Sequence, residues 1–209
     1  MQRQFPLLLL LLSVFALLTS AMVAQNGYQV GDVATDFTLK NVNGQMMSLK
    51  DQKNAKGYVV TFTCNTCPFA KLYEDRLIQL HQKYAPLGYP VVAINPNDVT
   101  ASPGDSFEQM QKRAKDKKFP FAYLQDESQE VTKRFGATRT PHLYILQKTS
   151  QGQWKVAYIG ALDNNAGDPE KVTERYAENA LNSLLANQPI AQTFTKAIGC
   201  TIKWRASAQ

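Results

Sequence analysis

Tyr58-Val59-Val60-Thr61-Phe62-Thr63-Cys64-Asn65-Thr66-Cys67-Pro68 is a β-branched and aromatic run that ends in two cysteines spaced C-x-x-C. Val, Thr and Phe at that density read as a central strand, and the amphipathic stretch from Phe69 to Tyr84 reads as a helix. The thiols therefore fall where strand hands over to helix. A helix N-terminus stabilises anions, so a thiol placed there loses its proton more readily. The thiolate is the species that attacks disulfides and peroxides.

The meaning of C-x-x-C depends on the compartment. Arg3 supplies a positive start, Pro6 to Leu18 is almost unbroken apolar sequence, and Thr19-Ser20-Ala21-Met22-Val23-Ala24 offers small residues for cleavage. Residues 1–24 read as a signal peptide, which implies a periplasmic or secreted protein. A membrane anchor is the competing reading, but the apolar run is shorter than the roughly 20 residues a spanning helix needs. With no cysteine near the cleavage region, a lipid-modified N-terminus has no attachment point. Residues 25–209 then form one well-cored domain, with no internal repeat or low-complexity linker.

The net charge of +6 comes from Lys and Arg spread along the chain, densest at Lys112-Arg113-Ala114-Lys115-Asp116-Lys117-Lys118. That cluster reads as a solvated helix face. Aromatic residues do not interleave with it as a nucleic-acid stacking platform requires, so no nucleic-acid partner is expected.

The three cysteines make one close pair, Cys64 and Cys67, and one more distant residue, Cys200. A purely structural disulfide across two intervening residues would constrain the unfolded chain little. A metal site would have to recruit Cys200, His81 and His142, because there is no second close-spaced pair. The pair reads as redox-active, with no metal and no bound organic cofactor.

Asp36-Phe37-Thr38-Leu39 and Met46-Met47-Ser48-Leu49 flank Asn43-Gly44 as a hairpin. Beyond the cysteines come a helix over about 68–85 and a strand at Val91-Val92-Ala93-Ile94. Asp105 and Glu108 read as a capping box opening a helix that carries Phe107 and Met110 inward. Phe121 to Leu124 reads as a short strand, and Ser128 to Phe135 as a short helix stopped by Gly136. His142 to Leu146 and Trp154 to Ile159 make a hairpin around Gln151-Gly152, and a last helix carries Tyr176, Ala180, Leu181, Leu184 and Leu185. Strands interleaved with helices in this order imply an α/β three-layer sandwich, a central mixed sheet covered on both faces.

The C-x-x-C after the first core strand, Thr140-Pro141 opening a later strand, and the N-terminal β-hairpin resemble the thioredoxin-like fold in its redoxin form. The stretch from Asn95-Pro96-Asn97-Asp98 through Asp126-Glu127 to Thr140-Pro141-His142 resembles the peroxiredoxin-like branch, grouped with alkyl hydroperoxide reductase and thiol-specific antioxidant proteins. The resemblance implies a cis peptide bond at Pro141 beside the cysteines, with the backbone of Thr140 presented to an incoming polypeptide. His142 follows directly and reads as an ordinary strand residue or as a group able to approach the thiols.

The order of attack stays open. In thioredoxins the first cysteine of C-x-x-C is the nucleophile, which assigns attack to Cys64 and resolution to Cys67. Proline favours the first helical position, however, so Pro68 places Cys67 at the N-cap with free N–H groups nearest its sulfur. Cys67-Pro68 also resembles the Cys-Pro at the peroxidatic position of peroxiredoxins, with Cys64 where they carry a threonine. The upstream proline of that motif is replaced by Val60, and Arg76 and Arg139 are the candidates for its activating arginine. These departures argue against efficient peroxide reduction. Cys200, in Gly199-Cys200-Thr201-Ile202-Lys203-Trp204, reads either as a small apolar residue docking the tail or as a third redox cysteine.

The chain is therefore expected to be an exported thiol-disulfide oxidoreductase using Cys64 and Cys67, with Thr140 and Pro141 supporting the site. Its partners would be protein or small-molecule thiols and disulfides and an upstream redox partner, with no stable membrane insertion once the leader is removed. A thiol-dependent peroxidase with Cys67 as the peroxidatic residue is the alternative. A copper-binding or thiol-carrier protein is the alternative of another class, since soft thiolates suit Cu(I).

Overall fold

The structure is a computed structural model that describes residues 27–206. The expected leader over residues 1–24 lies outside the described residues. Among the described residues no helix is long and apolar enough to cross a membrane.

In chain order the elements are β1 (Val33–Ala34), β2 (Thr38–Asn41), β3 (Met46–Ser48), β4 (Gly57–Phe62), α1 (Pro68–Tyr84), β5 (Val91–Asn95), α2 (Phe107–Asp116), β6 (Ala122–Gln125) and α3 (Glu130–Phe135). Then follow β7 (Arg139–Thr140), β8 (His142–Lys148), β9 (Trp154–Gly160), α4 (Tyr176–Leu185) and β10 (Cys200–Thr201). The main sheet runs β1-β9-β8-β4-β5-β6-β2-β3, and β10 pairs with β7 in a separate two-stranded ribbon. β4 lies near the middle, parallel to β5 and antiparallel to β8, with Phe62 opposite both Ile94 and His142. Every residue of β4 is buried, as an apolar run without polar alternation demands.

Side-chain alternation along β4 separates two cores. Val60 and Phe62 join Val92, Ile94, Leu124 and Tyr144 on one face, where Val131 and Phe135 of α3 cover them with Tyr28 and Phe37 from the N-terminal segment. Val59 points to the other face with Val91, Ala93, Leu143 and Ile145. Leu77, Leu80 and Tyr84 of α1, Met110 of α2 and Ala180 and Leu181 of α4 close that side. The result is the thioredoxin-like three-layer α/β sandwich with an N-terminal hairpin.

The hairpin pairs Thr38 with Ser48 and Lys40 with Met46, in the expected place. One expected cap is corrected. Ser106, not Asp105, caps α2 by accepting from the Gln109 N–H at 3.4 Å, while Asp105 turns into the interior. Phe107 is only half-buried, under the Lys40 ammonium, and Met110 is the residue of that helix that enters the core. The two-residue strands β1, β7 and β10 carry no periodicity and were not expected from the sequence.

Phe135 packs its ring against Tyr28, Phe37, Phe62 and Tyr144. Phe135→Ala is expected to cost about 3–5 kcal/mol of unfolding free energy. Urea denaturation read by far-ultraviolet circular dichroism measures it.

Candidate active site

Cys64 follows the last residues of β4, and Cys67 is the N-cap of α1, with Pro68 in the first turn. Proline is favoured there because the first N–H groups of a helix lack intrahelical acceptors and its φ is already helical. Both cysteines are 3% exposed.

The Asn65-Thr66 turn between them is held from below by Asp105, a carboxylate only 1% exposed. Asp105 accepts from the Asn65 N–H at 2.6 Å, the Thr66 hydroxyl at 2.8 Å and the Ser102 hydroxyl at 2.6 Å. The side-chain amides of Asn95 and Asn97 add donors at 3.2 and 2.9 Å. Five donors satisfy a carboxylate that would otherwise carry a large desolvation cost. Asn65 itself is anchored through its side chain, accepting from the Tyr123 hydroxyl at 3.0 Å and donating to the Gly104 carbonyl at 3.0 Å. Sequence reading missed this carboxylate. Its one visible signal is the run Asn95, Asn97, Ser102 and Asp105, polar residues too dense for an ordinary surface loop, all of them buried.

Above the thiols sits Thr140, joined to Pro141 by a cis peptide bond as the resemblance implied. The Thr140 hydroxyl lies 3.3 Å from the Cys64 sulfur, and its carbonyl oxygen lies 3.1 Å from the Cys67 sulfur. The backbone of Thr140 is not open to an incoming polypeptide, because β10 pairs with it, Cys200 opposite Thr140 and Thr201 opposite Arg139. Cys200 thereby packs against the buried cluster of Cys64, Cys67 and Ala70.

The two thiols are electrostatically unlike. A hydrogen bond from the Cys64 thiol, aided by the Cys200 thiol and by the backbone N–H groups of Ala70 and Cys200, pulls Cys67 down to about 4. The Cys67 thiol also donates to the Thr140 carbonyl at 3.1 Å, an acceptor that, like burial, favours the protonated form against these influences. Cys64 is pushed far up, first by donating to Cys67, then by burial and by the charge of Asp105. The surroundings thus lower Cys67 and raise Cys64.

The remaining sequence candidates lie elsewhere. His142 is buried, accepts from the Thr138 N–H through Nδ1 at 3.4 Å and packs on the Tyr144 ring; burial pushes it down to about 4. His81 accepts from the Val91 N–H at 3.2 Å. Among the described residues no group of three His, Cys, Asp or Glu is arranged to hold a metal ion. Arg76 is committed to Asp163 at 2.7 Å and to the carbonyls of Asn165 and Ala166. Arg139 reaches the Gly199 carbonyl at 3.5 Å. Neither arginine serves Cys67.

The AhpC/TSA family profile matches residues 30–157. Among solved structures, an uncharacterized conserved protein from Geobacillus kaustophilus is 39% identical, with 88% of this chain and 96% of that chain covered and a TM-score of 0.80. A hypothetical protein from Sinorhizobium meliloti 1021 is 32% identical over 87% of this chain and 97% of its own, with a TM-score of 0.78. Peroxidoxin BcpB from Mycobacterium tuberculosis, 19% identical with 76% and 97% covered and a TM-score of 0.56, shares the fold. No curated protein matches the chain.

Alkylation of reduced Cys67 by iodoacetamide is expected to keep the same rate between pH 8 and pH 5 and to fall only as pH drops through about 4. An ordinary thiol loses reactivity below about 8.5. The sign follows because the thiolate reacts and Cys67 remains thiolate down to its lowered value. Peptide-resolved mass spectrometry gives the rate for each cysteine. Asp105→Ala removes the acceptor of five buried donors and is expected to cost at least about 3 kcal/mol in urea unfolding.

Proposed function

The chain belongs to the AhpC/TSA family, and on that premise we propose that it is a thiol-disulfide oxidoreductase in which Cys67 attacks and Cys64 resolves. The observation that carries this reading is the buried pair at the N-terminus of α1, Cys67 at the N-cap and both sulfurs against Thr140, in surroundings that lower Cys67 and raise Cys64. The Cys67 thiolate attacks one sulfur of a substrate disulfide. A Cys67–substrate disulfide forms and the other substrate sulfur leaves as thiolate. Cys64 then gives its proton to that thiolate and attacks Cys67 Sγ. The Cys64–Cys67 disulfide forms, and the second substrate sulfur departs. Loss of the Cys67 charge in the mixed disulfide removes the largest influence holding the Cys64 proton, so the second step follows from the first.

Protein substrates fit the surroundings. Phe69 and Leu72 on the first turns of α1 and Ile198 on the tail expose apolar surface beside the thiols. The leader expected over residues 1–24 supports export, and we place the protein in the periplasm or outside the cell, with an upstream redox partner there.

The peroxidase reading rests on a specific feature, the low-pKa Cys67 preceding Pro68, in which Cys67 would become a sulfenic acid that condenses with Cys64. It is the weaker reading because no guanidinium serves Cys67 among the described residues. Arg76 and Arg139 have other partners.

Stabilising the thiolate stabilises the reduced protein, so the midpoint potential is expected above the roughly −270 mV of thioredoxin. Equilibration in glutathione buffers with mass readout after alkylation measures it. Cys64→Ser combined with Cys200→Ser is expected to accumulate the Cys67–substrate mixed disulfide, and Cys67→Ser to form none. Stoichiometric peroxide oxidation of Cys67 faster than its exchange with insulin would overturn the reading in favour of the peroxidase.

A further inference from the structure

The C-terminal tail is laid across the dithiol and held on both sides of Cys200. Upstream, the Thr195 hydroxyl is 2.5 Å from the Tyr158 hydroxyl and accepts from the Ala161 N–H at 2.9 Å. Downstream, Ile202 is buried in the sheet core. Lys203 accepts from the Asp98 N–H at 2.8 Å and from the Gln129 amide at 2.9 Å. Arg205 donates its N–H to Gln129 Oε1 at 2.9 Å and pairs with Asp98 at 3.2 Å. Buried Gln129 takes a left-handed backbone (φ 62°), and its side chain is spent entirely on Pro96 and this tail. Gly199 lies flat on the Thr140–Pro141 bond, where a Cβ would come within 2.2 Å of the Thr140 carbonyl oxygen. Only glycine lets the strand approach this closely.

These anchors set Cys200 opposite Thr140 and pack it against the buried cluster of Cys64, Cys67 and Ala70. It is the most exposed of the three cysteines. The tail thus occupies the backbone edge beside the cis proline, with a cysteine of its own aimed at Cys67.

We propose that Cys200 is a third redox cysteine, which takes the disulfide from the buried Cys64–Cys67 pair and carries it to the partly exposed Cys67–Cys200 position. The inference rests on the exchange activity proposed above. The Cys200 thiolate attacks Cys67 Sγ; the Cys67–Cys200 bond forms and the Cys64–Cys67 bond breaks. Cys64 leaves as a thiolate and takes up the proton that Cys200 released, so no net oxidation occurs. A dithiol reductant then attacks the Cys200 sulfur and expels Cys67. The low pKa of Cys67 makes it the better leaving group. Burial and the neighbouring Cys67 thiolate hold Cys200 up at about 11 in the reduced protein. When Cys67 enters a disulfide its charge disappears, which removes one of the influences that raise Cys200 and leaves burial.

The test is disulfide mapping of the full mature chain by tryptic digestion under non-reducing conditions after diamide oxidation. Cys64→Ser is expected to give the Cys67–Cys200 linked peptide as its main oxidised product. Gly199→Ala, which keeps all three thiols but crowds the strand off Thr140, is expected to lower that linkage roughly tenfold in the Cys64→Ser background by reducing the local concentration of Cys200. Recovery of Cys200 as free thiol wherever Cys67 is oxidised, in both wild type and Cys64→Ser, overturns the proposal. A wild-type chain that exchanges with insulin through Cys64–Cys67 but never forms the Cys67–Cys200 bond removes this inference and leaves the exchange reading standing. Absence of exchange with insulin at either bond removes both.

Discussion

The contacts of Thr140 organise the reactive end of the sheet. Its hydroxyl meets Cys64, its carbonyl meets Cys67, and its backbone pairs with Cys200. Each contact uses a different group of one residue, so all three sulfurs are registered against a single point. That point is rigid because the chain passes through Pro141 directly into β8, whose first five residues are buried between β4 and β9. A shift of Thr140 would have to drag a central strand with it, and close-packed cores resist such motion.

Asp105 is the counterpart below the dithiol. The Asn65-Thr66 turn has a backbone N–H pointing into the protein, and a buried donor must find an acceptor. A carboxylate supplies it, and four side-chain donors from the β5–α2 connection and the turn make its burial tolerable. The same charge acts on the cysteines unequally. It raises Cys64, whereas Cys67 has the N–H of Ala70 and two thiol donors around it. Chemically identical side chains three residues apart are thus shifted in opposite directions by what surrounds them.

The tail packs Cys200 against the buried cluster of Cys64, Cys67 and Ala70, and the edge beside the cis proline is filled by Gly199 and β10. The anchors that hold the tail lie on Thr195 and on residues 202–205, away from the thiols, so the short intervening segment is the part with least to lose by moving.

Local pattern carried most of the fold. The unbroken apolar run of β4 marked a central strand, Pro68 marked the start of α1 and put Cys67 at its cap, and Asn43-Gly44 marked the hairpin. These are properties of neighbours in sequence, since strand burial, helix capping and tight turns depend on residues within a few positions. The pair Cys64 and Cys67 was legible for the same reason, whereas the cis bond at Thr140-Pro141 was implied by the family resemblance. Asp105 misled as a helix cap because its spacing to Glu108 fits one, whereas its partners Asn65 and Thr66 lie some forty residues away in another loop. Cys200 could not be placed at all, since β10 and β7 are two residues each and too short to carry a period. The sequence by itself determined which residues could do thiol chemistry and on what scaffold. Only the tertiary structure decided how the surroundings shift the two thiols in opposite directions and that a third cysteine packs against them, because hydrogen bonds and charge act through space between segments the chain keeps far apart.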